Sequence, residues 1–148
     1  MKKKLLISAC LIGDRCRYDG RSKPHPKIES IREKFDLFPV CPEVLGGLKT
    51  PRLPCEMREN RVIRKDGQDL TTSYLTGAET VLNLAKKENI SLALLKEKSP
   101  SCGKNFIYDG TFSKKLISGM GVCAKLLSEN KIEIFSEEET KLLEKKTQ

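Results

Sequence analysis

Short apolar runs recur along the chain and have the length of buried strands. Residues 4–9 (KLLISA), 90–96 (ISLALLK) and 132–135 (IEIF) predict three strands, and the run at 90–96 is the strongest of them. Residues 37–40 (LFPV) add a brief apolar segment that ends at Cys41. Short apolar runs bounded by polar or glycine-containing turns are typical of strands in a buried sheet.

Helical periodicity lies between these runs. Residues 25–35 (HPKIESIREKF) and 121–130 (GVCAKLLSEN) predict short helices, and a longer helix is predicted from Thr72 to near Asn89. Apolar residues spaced three or four positions apart form one face of the long helix. That face comprises Leu75, Ala78, Val81, Leu82 and Ala85.

The last segment, residues 136–146 (SEEETKLLEKK), predicts a terminal helix with Ser136 as its N-cap and Glu139 as the capping-box partner.

Strands that alternate with helices are typical of α/β proteins with a mainly parallel sheet. We therefore expect an α/β fold, a three-layer Rossmann-like domain with a mainly parallel sheet. We expect a single domain over residues 1–148.

Three of the six cysteines follow predicted strand positions. Cys10 ends the first strand, Cys41 ends the brief apolar segment, and Cys102 lies a turn beyond the run at 90–96. Ligands of open α/β sheets bind outside the carboxyl ends of the strands. Two long Pro- and Gly-rich loops, residues 41–69 and 97–113, also begin there, and such loops are usually functional. We therefore expect these three thiols to converge on one site.

Soft sulfur ligands favour zinc, copper(I) or an iron-sulfur cluster. A three-ligand zinc site would suit hydrolysis or base deamination, but the deaminase signature is absent. The single histidine, His25, lies in a proline-bracketed turn and is expected at the surface. A cluster held by three cysteines would leave one iron without a protein ligand.

The other three cysteines have different interpretations. Cys55 and Cys123 are interpreted as packing residues. Cys16 could be a fourth ligand, an active-site thiol or a turn residue, and the sequence does not decide among these roles.

The first ten residues imitate the leader of an exported lipoprotein that is cleaved at Cys10. Only residues 5–9 separate Lys4 from Cys10, whereas a secretory leader needs an apolar run of about 7 to 15 residues. We therefore expect Cys10 to stay in the mature chain and the protein to be cytoplasmic, where thiols remain reduced. No apolar stretch is long enough to cross a bilayer, so no membrane partner is expected.

The net charge of +8 favours an anionic partner, either a phosphate-bearing small molecule or a nucleic acid. Charge by itself does not choose between the two. Much of the lysine lies in runs at the two ends of the chain, MKKK and KLLEKK, which are typical of solvated faces.

Three motifs now identify a family resemblance. SACLIGDRCRYDG (residues 8–20), VCPEVLGGLKTPR (residues 40–52) and LLKEKSPSCGKNFIYDGTFS (residues 94–113) resemble the TudS-type thiouracil desulfidases in their short single-domain form. The resemblance extends over nearly the whole chain. It implies a cytosolic, non-redox enzyme with a 4Fe-4S cluster on three cysteines. In such enzymes the sulfur of a thiolated uracil or thiouridine nucleotide binds the iron that lacks a protein ligand and is replaced by oxygen from water.

The resemblance also implies roles for individual residues. The cluster ligands would be Cys10, Cys41 and Cys102. Glu43 would match the acid/base carboxylate of the family, and Ser101 its substrate-orienting hydroxyl. The chain departs from the usual family pattern at Cys55 and Cys123, so neither is carried over as a ligand.

The substrate is less sharply defined than the cofactor. Some relatives carry a second domain, and in those the substrate can be thiolated tRNA; that domain is missing from these 148 residues. We therefore expect a free thiolated nucleobase or nucleotide, with tRNA kept open by the positive charge. A module that binds thiolated tRNA without chemistry is an alternative, although no RNA-binding signature is present. An electron-transfer protein is another, although all four of its irons would normally have protein ligands. The sequence does not indicate an oligomeric state.

Overall fold

The computed structural model describes residues 2–147 of the chain. In chain order the elements are β1 (Lys3–Ser8), α1 (Ile28–Lys34), β2 (Phe35–Val40), α2 (Pro42–Leu45), β3 (Cys55–Arg58), β4 (Arg61–Arg64), α3 (Thr71–Glu88), β5 (Leu92–Leu95), β6 (Phe106–Tyr108), β7 (Leu116–Ser118), α4 (Val122–Glu129), β8 (Glu133–Ser136) and α5 (Thr140–Glu144). A 3-10 turn follows β1 at Ala9–Ile12, and another follows α5 at Lys145–Thr147. Within residues 2–147, no helix is both long enough and apolar enough to cross a membrane.

Four strands form a parallel sheet in the order β2-β1-β5-β8. Strand β1 lies at the centre and pairs with β2 from Lys3↔Phe35 to Ser8↔Val40. From β1 the chain first adds a strand on one side and later adds β5 and β8 on the other. The order of strands therefore reverses between β1 and β5, and such a reversal opens a crevice at the carboxyl edge of an α/β sheet.

Helices cover both faces of this sheet and complete three layers. Leu5 and Ile7 of β1 pack in the apolar cluster that includes α1 and α5, whereas Leu6 packs in the cluster that includes α3 and α4. Successive strand residues point to opposite faces, and both faces are buried here, which explains the continuous apolar runs in the sequence. The predicted α/β fold with a mainly parallel sheet is confirmed.

The long helix matches its prediction except at one position of the apolar face. Helix α3 ends at Glu88, and Asn89 after it adopts the left-handed conformation that often terminates a helix. Tyr74 is buried, whereas Leu75, which the sequence places on the apolar face, is 45% exposed. Neighbouring helix residues point about 100° apart, so the inward position of Tyr74 turns Leu75 towards solvent.

The terminal helix is shorter than predicted and begins at Thr140 instead of Ser136. Ser136 pairs with Leu95 as the last residue of β8, and residues 137 and 138 form a turn between that strand and the helix. The capping contacts still form in part. The Glu139 carboxylate accepts the backbone N–H of Ser136 at 2.9 Å, and the Ser136 hydroxyl accepts the N–H of Glu138 at 3.2 Å.

Two hairpins that the sequence pattern does not predict occur in the first long loop and at the end of the second. Strands β3 and β4 form one antiparallel pair, and β6 and β7 form another. Their inner residues form a third apolar cluster with Tyr74, made of Cys55, Met57, Val62 and Ile107. The strands have only three or four residues each, and β7 is exposed throughout, so they show no apolar alternation.

Two glycines hold α2 tightly against α3. A Cβ atom at Gly77 would lie 1.8 Å from the carbonyl oxygen of Pro42, and one at Gly46 would lie 2.1 Å from the carbonyl oxygen of Ser73. No side chain fits at either position without moving the backbone. Helix α2 begins one residue after Cys41, so this contact also fixes the end of β2.

Candidate active site

A cavity of about 440 Å³ opens at the carboxyl ends of the central strands. Its wall includes Ser8 at the end of β1, Val40 at the end of β2 and Lys96 directly after β5. The cavity therefore lies at the reversal of strand order, where ligands of open α/β sheets bind. Its volume is in the range of about 300 to 1,000 Å³ that is typical of small-molecule sites.

Five of the six cysteines line this cavity, and Cys55 is one of them. Cys10 lies in the 3-10 turn after β1, Cys41 lies between β2 and α2, and Cys102 lies in the loop after β5. The structure brings together the three thiols that follow the strands. It also adds Cys16, from the loop that follows the 3-10 turn, to the same wall. All six cysteines are free thiols.

Cys123 and His25 lie outside the cavity lining, whereas Cys55 belongs to it. Cys123 is fully buried in the core under α4, and Cys55 is buried at the edge of the cavity. His25 is half-buried instead of exposed, because it links its turn to the C-terminal segment. Its Nε2 lies 2.7 Å from the carbonyl oxygen of Glu137, and its Nδ1 accepts the N–H of Lys27 at 3.0 Å.

The cavity thiols affect one another. A hydrogen bond with the Cys10 thiol raises the pKa of Cys16 to about 11, although the contact with Cys41 opposes this shift. The hydrogen bond between the Cys41 and Cys16 thiols raises the pKa of Cys41 strongly, and burial adds to this shift. Burial raises the pKa of Cys102 to about 12. Burial and the contacts between the thiols therefore disfavour the thiolate form of these three groups.

Glu43 projects from α2 next to the thiols, and its two carboxylate oxygens have different partners. Oε1 accepts hydrogen bonds from Arg52 Nε at 3.1 Å and Arg52 Nη2 at 2.9 Å. Oε2 accepts the Ser101 hydroxyl at 3.0 Å and the Ser99 hydroxyl at 3.5 Å. The Glu43 side chain is only 12% exposed and the Arg52 side chain 9%. The carboxylate therefore has one oxygen held by a cation and one facing hydroxyl groups.

Ser99 is a cavity residue that sequence reasoning missed. Its hydroxyl oxygen accepts the backbone N–H groups of Ser101 and Cys102, both at 3.1 Å, and lies 2.9 Å from the Ser101 hydroxyl. Ser101 is almost fully buried, whereas Ser99 is more exposed. Both serines belong to the segment SPSCG, so the signal for Ser99 was the motif itself.

Arg52 is the second missed residue. Burial would lower its pKa, but the Glu43 carboxylate more than compensates, so the pKa of Arg52 lies above its ordinary value. Its signal was again the motif, because Arg52 ends VCPEVLGGLKTPR.

A buried carboxylate organises the loop that carries Cys102. Glu97 is 3% exposed, and its Oε1 accepts four backbone N–H groups at 2.8 to 3.4 Å. The donors are Lys104, Asn105, Phe106 and Lys98. Burial opposes ionisation, but these N–H groups outweigh it, and the pKa of Glu97 lies below its usual value. Nothing in the sequence singles out Glu97, because its partners lie up to nine residues away.

Basic and aromatic side chains line the outer part of the cavity. They are Arg17, Lys65, Lys98 and Lys114, together with Tyr18, Tyr108 and Phe112. A cavity lined by one sign of charge raises the local concentration of oppositely charged ligands, and aromatic faces can stack on nucleobases. The lining is therefore suited to an anionic, planar ligand.

Comparison with known proteins identifies the family. The model of the family described as 2-thiouracil desulfurase matches residues 5–139. The chain belongs to the 2-thiouracil desulfurase family. It is similar to the uncharacterized protein YbbK of Bacillus subtilis (strain 168), at 41% identity over 145 residues, which covers 91% of this chain and 96% of that protein. It is also similar to a solved structure of the 4Fe-4S-dependent thiouracil desulfidase TudS, with a TM-score of 0.89 and 40% identity over 96% of this chain and 98% of that one.

The cavity of this 2-thiouracil desulfurase family member fits the cofactor that the name of TudS carries. Five free thiols line the cavity, and thiolates are the protein ligands of iron-sulfur clusters. Within residues 2–147, no three His, Cys, Asp or Glu side chains converge on a single metal ion. A cluster does not require that convergence, because its thiolates bind different irons. Binding of iron would also deprotonate thiols whose pKa values are raised in its absence.

The role of Glu97 in the Cys102 loop gives a stability prediction. Replacement Glu97→Gln puts an amide N–H where the loop presents only donors, so we expect a loss of about 1 to 3 kcal/mol in the free energy of unfolding at neutral pH. Because the folded-state pKa is lowered, the contribution of Glu97 is complete above its ordinary pKa of 4.5 and is lost as the pH falls through the folded value. Urea unfolding measured from about pH 7 down to about pH 3 should therefore show a smaller acid-induced loss in Glu97→Gln than in the wild type.

The matched control for this measurement is Glu33→Gln, which changes an exposed glutamate of α1. It should keep the wild-type stability and acid sensitivity. Equal behaviour of the two variants at every pH would show that Glu97 does not hold the loop.

Proposed function

We propose that this protein catalyses the iron-sulfur-dependent, non-redox desulfuration of a thiolated uracil or thiouridine nucleotide. The reaction replaces C=S by C=O with one water and releases one sulfide, so no electrons are exchanged. The observation that carries the proposal is one cavity in which five free thiols lie beside a carboxylate with two hydroxyl partners. Membership of the 2-thiouracil desulfurase family supports the same chemistry. We propose that one domain, residues 1–148, performs it in the cytoplasm, where free thiols persist.

We propose Cys10, Cys41 and Cys102 as the protein ligands of a 4Fe-4S cluster with one iron left without a protein ligand. When bound, such a cluster supplies a Lewis-acidic position that attracts sulfur and polarises the C=S bond. Each of the three cysteines follows a different strand of the sheet, so the sheet holds their relative positions. Cys16 lies on the same wall and is considered as a further thiol of the site.

Glu43 is the proposed acid/base group. Its Oε2 faces hydroxyl groups, and Arg52 occupies its Oε1, so Oε2 is the oxygen left to take a proton from the attacking water. The same carboxyl group then returns that proton to the departing sulfur, so Glu43 acts first as the general base and then as the general acid. The Ser101 hydroxyl orients the group that reacts at this oxygen, and its hydrogen bond with the Ser99 hydroxyl holds it in place.

The cavity lining supports a nucleotide over a bare nucleobase. The lysines and the arginine at its outer part are suited to a phosphate, and the aromatic residues among them to a planar base. A cavity of about 440 Å³ accommodates one nucleotide. The same basic lining keeps a thiolated tRNA, with one nucleotide inserted, as the alternative substrate.

Anaerobic reconstitution tests this proposal. The protein is loaded with iron and sulfide, and the thiocarbonyl absorbance is followed with thiouracil, thiouridine monophosphate and thiolated tRNA in separate reactions. We expect loss of the chromophore with one sulfide released per substrate, fastest for the monophosphate. Preference for tRNA would favour the alternative substrate. A loaded protein that converts none of the three would refute the proposed activity.

Substitution of the proposed ligands should remove the metal. We expect Cys10→Ala, Cys41→Ala and Cys102→Ala each to lose most of the bound iron and the brown absorbance, because the other two thiolates cannot hold the cluster alone. Cys123→Ala is the matched control, since this buried cysteine lies outside the cavity lining. Cys16→Ala decides the remaining thiol: loss of iron makes it a ligand, and loss of activity alone makes it an active-site group. A variant of any of the three that keeps full iron content would remove that residue from the ligand set.

Substitution of the proposed acid/base group should spare the metal. We expect Glu43→Gln to retain the cluster, because the amide has nearly the same shape, while kcat falls by about 100- to 10,000-fold. Ser101→Ala should also keep the cluster and show a milder loss. The matched control is Glu79→Gln, an exposed glutamate of α3. Full activity of Glu43→Gln would contradict the proposed proton transfer even if the cysteine assignments are correct.

A further inference from the structure

All the donor groups of one buried arginine are used at the edge of the cavity. Arg52 has five side-chain N–H groups, and five hydrogen bonds leave them. Nε and Nη2 bind Glu43 Oε1 at 3.1 and 2.9 Å, and Nη1 binds the carbonyl oxygen of Lys49 and the hydroxyl of Thr50, both at 3.0 Å. The second Nη2 bond reaches the carbonyl oxygen of Cys16 at 2.9 Å. The guanidinium plane is therefore fixed from three sides.

We propose that Arg52 is a positioning residue that holds Glu43 in its reactive orientation and holds the Cys16 segment against the cavity. The inference rests on the proposed function insofar as it assigns a task to Glu43. Lys49 and Thr50 fix the guanidinium independently of Glu43, so the position of the carboxylate is set by a group that is itself already held.

The asymmetry of the carboxylate follows from this arrangement. Two N–H donors on Oε1 prevent the Glu43 side chain from rotating about its last bond without breaking both hydrogen bonds. Oε2 therefore stays directed at Ser99 and Ser101. With Arg52 removed, a carboxylate that is 12% exposed would be left without a cation, and it would turn towards water.

Arg52 also joins two segments that are distant in the chain. Its side chain binds the carbonyl oxygen of Cys16, and its backbone N–H donates to the carbonyl oxygen of Tyr18 at 2.7 Å. The Cys41 thiol lies 3.8 Å from the same Cys16 oxygen. The cavity wall that carries Cys16 is therefore held by the residue that holds Glu43.

A double-mutant cycle with Glu43 distinguishes positioning from a merely structural role. Reconstituted Arg52→Met should lose about 10- to 100-fold in kcat, with KM changed by less than about threefold, because a small displacement of a catalytic group has this cost. In the Glu43→Gln background the same substitution should cause almost no further loss. Arg52→Lys keeps the charge but not the planar fork, so it should recover only part of kcat. Arg61→Met is the control, since Arg61 pairs with Asp69 in an exposed hairpin outside the cavity.

Thiol accessibility supplies a readout that does not depend on turnover. Cluster-free protein is treated with iodoacetamide, and digestion with an Asp-specific endoprotease releases Cys16 in residues 14–18, separately from Cys10. Arg52→Met and Arg52→Lys should increase the alkylation rate of Cys16 several-fold, and Arg61→Met should leave it unchanged.

The outcomes separate this inference from the proposed function. Wild-type kcat in Arg52→Met, or a loss that multiplies with that of Glu43→Gln, would overturn the positioning role. If the wild-type enzyme converts no thiolated pyrimidine, the proposed function fails, and the alkylation rates alone then decide: an unchanged rate for Cys16 overturns the inference. If Arg52→Met does not fold, the double variant with Glu43→Gln, which removes both buried charges, replaces it in the alkylation measurement.

Discussion

The reversal of strand order between β1 and β5 is the constraint on which the site depends. Parallel strands end at the same edge of a sheet, and only at a reversal do the segments that leave them turn away from one another and open a crevice. Cys10, Cys41 and Cys102 leave three different strands at this edge, so residues far apart in sequence share one wall. The apolar runs that build both faces of the sheet therefore also determine where the polar chemistry lies.

Buried carboxylates order the polar loops around the cavity, where few apolar side chains pack. The loop that carries Cys102 is polar and buries few apolar side chains, yet its backbone N–H groups must be satisfied. Glu97 accepts four of them, and Glu56 in the same way accepts the N–H groups of Gly110 and Phe112 at 3.0 and 3.1 Å. One acidic side chain thus gives each loop a defined conformation. Such order is what a cavity wall needs if its groups are to remain in place.

The electrostatic pattern of the cavity divides into an inner and an outer part. The inner part holds the thiols and the ion pair between Glu43 and Arg52, whereas lysine side chains line the outer part. Under the proposed function, this division suits a ligand whose thiocarbonyl group enters first and whose phosphate stays near solvent.

The sequence by itself determined the fold class and the family. Continuous apolar runs and helical periodicity predicted the parallel sheet and the long helix, and three motifs indicated the family, because these signals are local in the chain. Leu75 and the start of the terminal helix were predicted wrongly, since Tyr74 and the pairing of Ser136 in β8 decide them through distant contacts. The short hairpins lack a periodic signal for the same reason. Only the tertiary structure decided that Arg52 and Ser99 meet the two oxygens of Glu43, because hydrogen bonds between separate segments exist only once the sheet has brought those segments together.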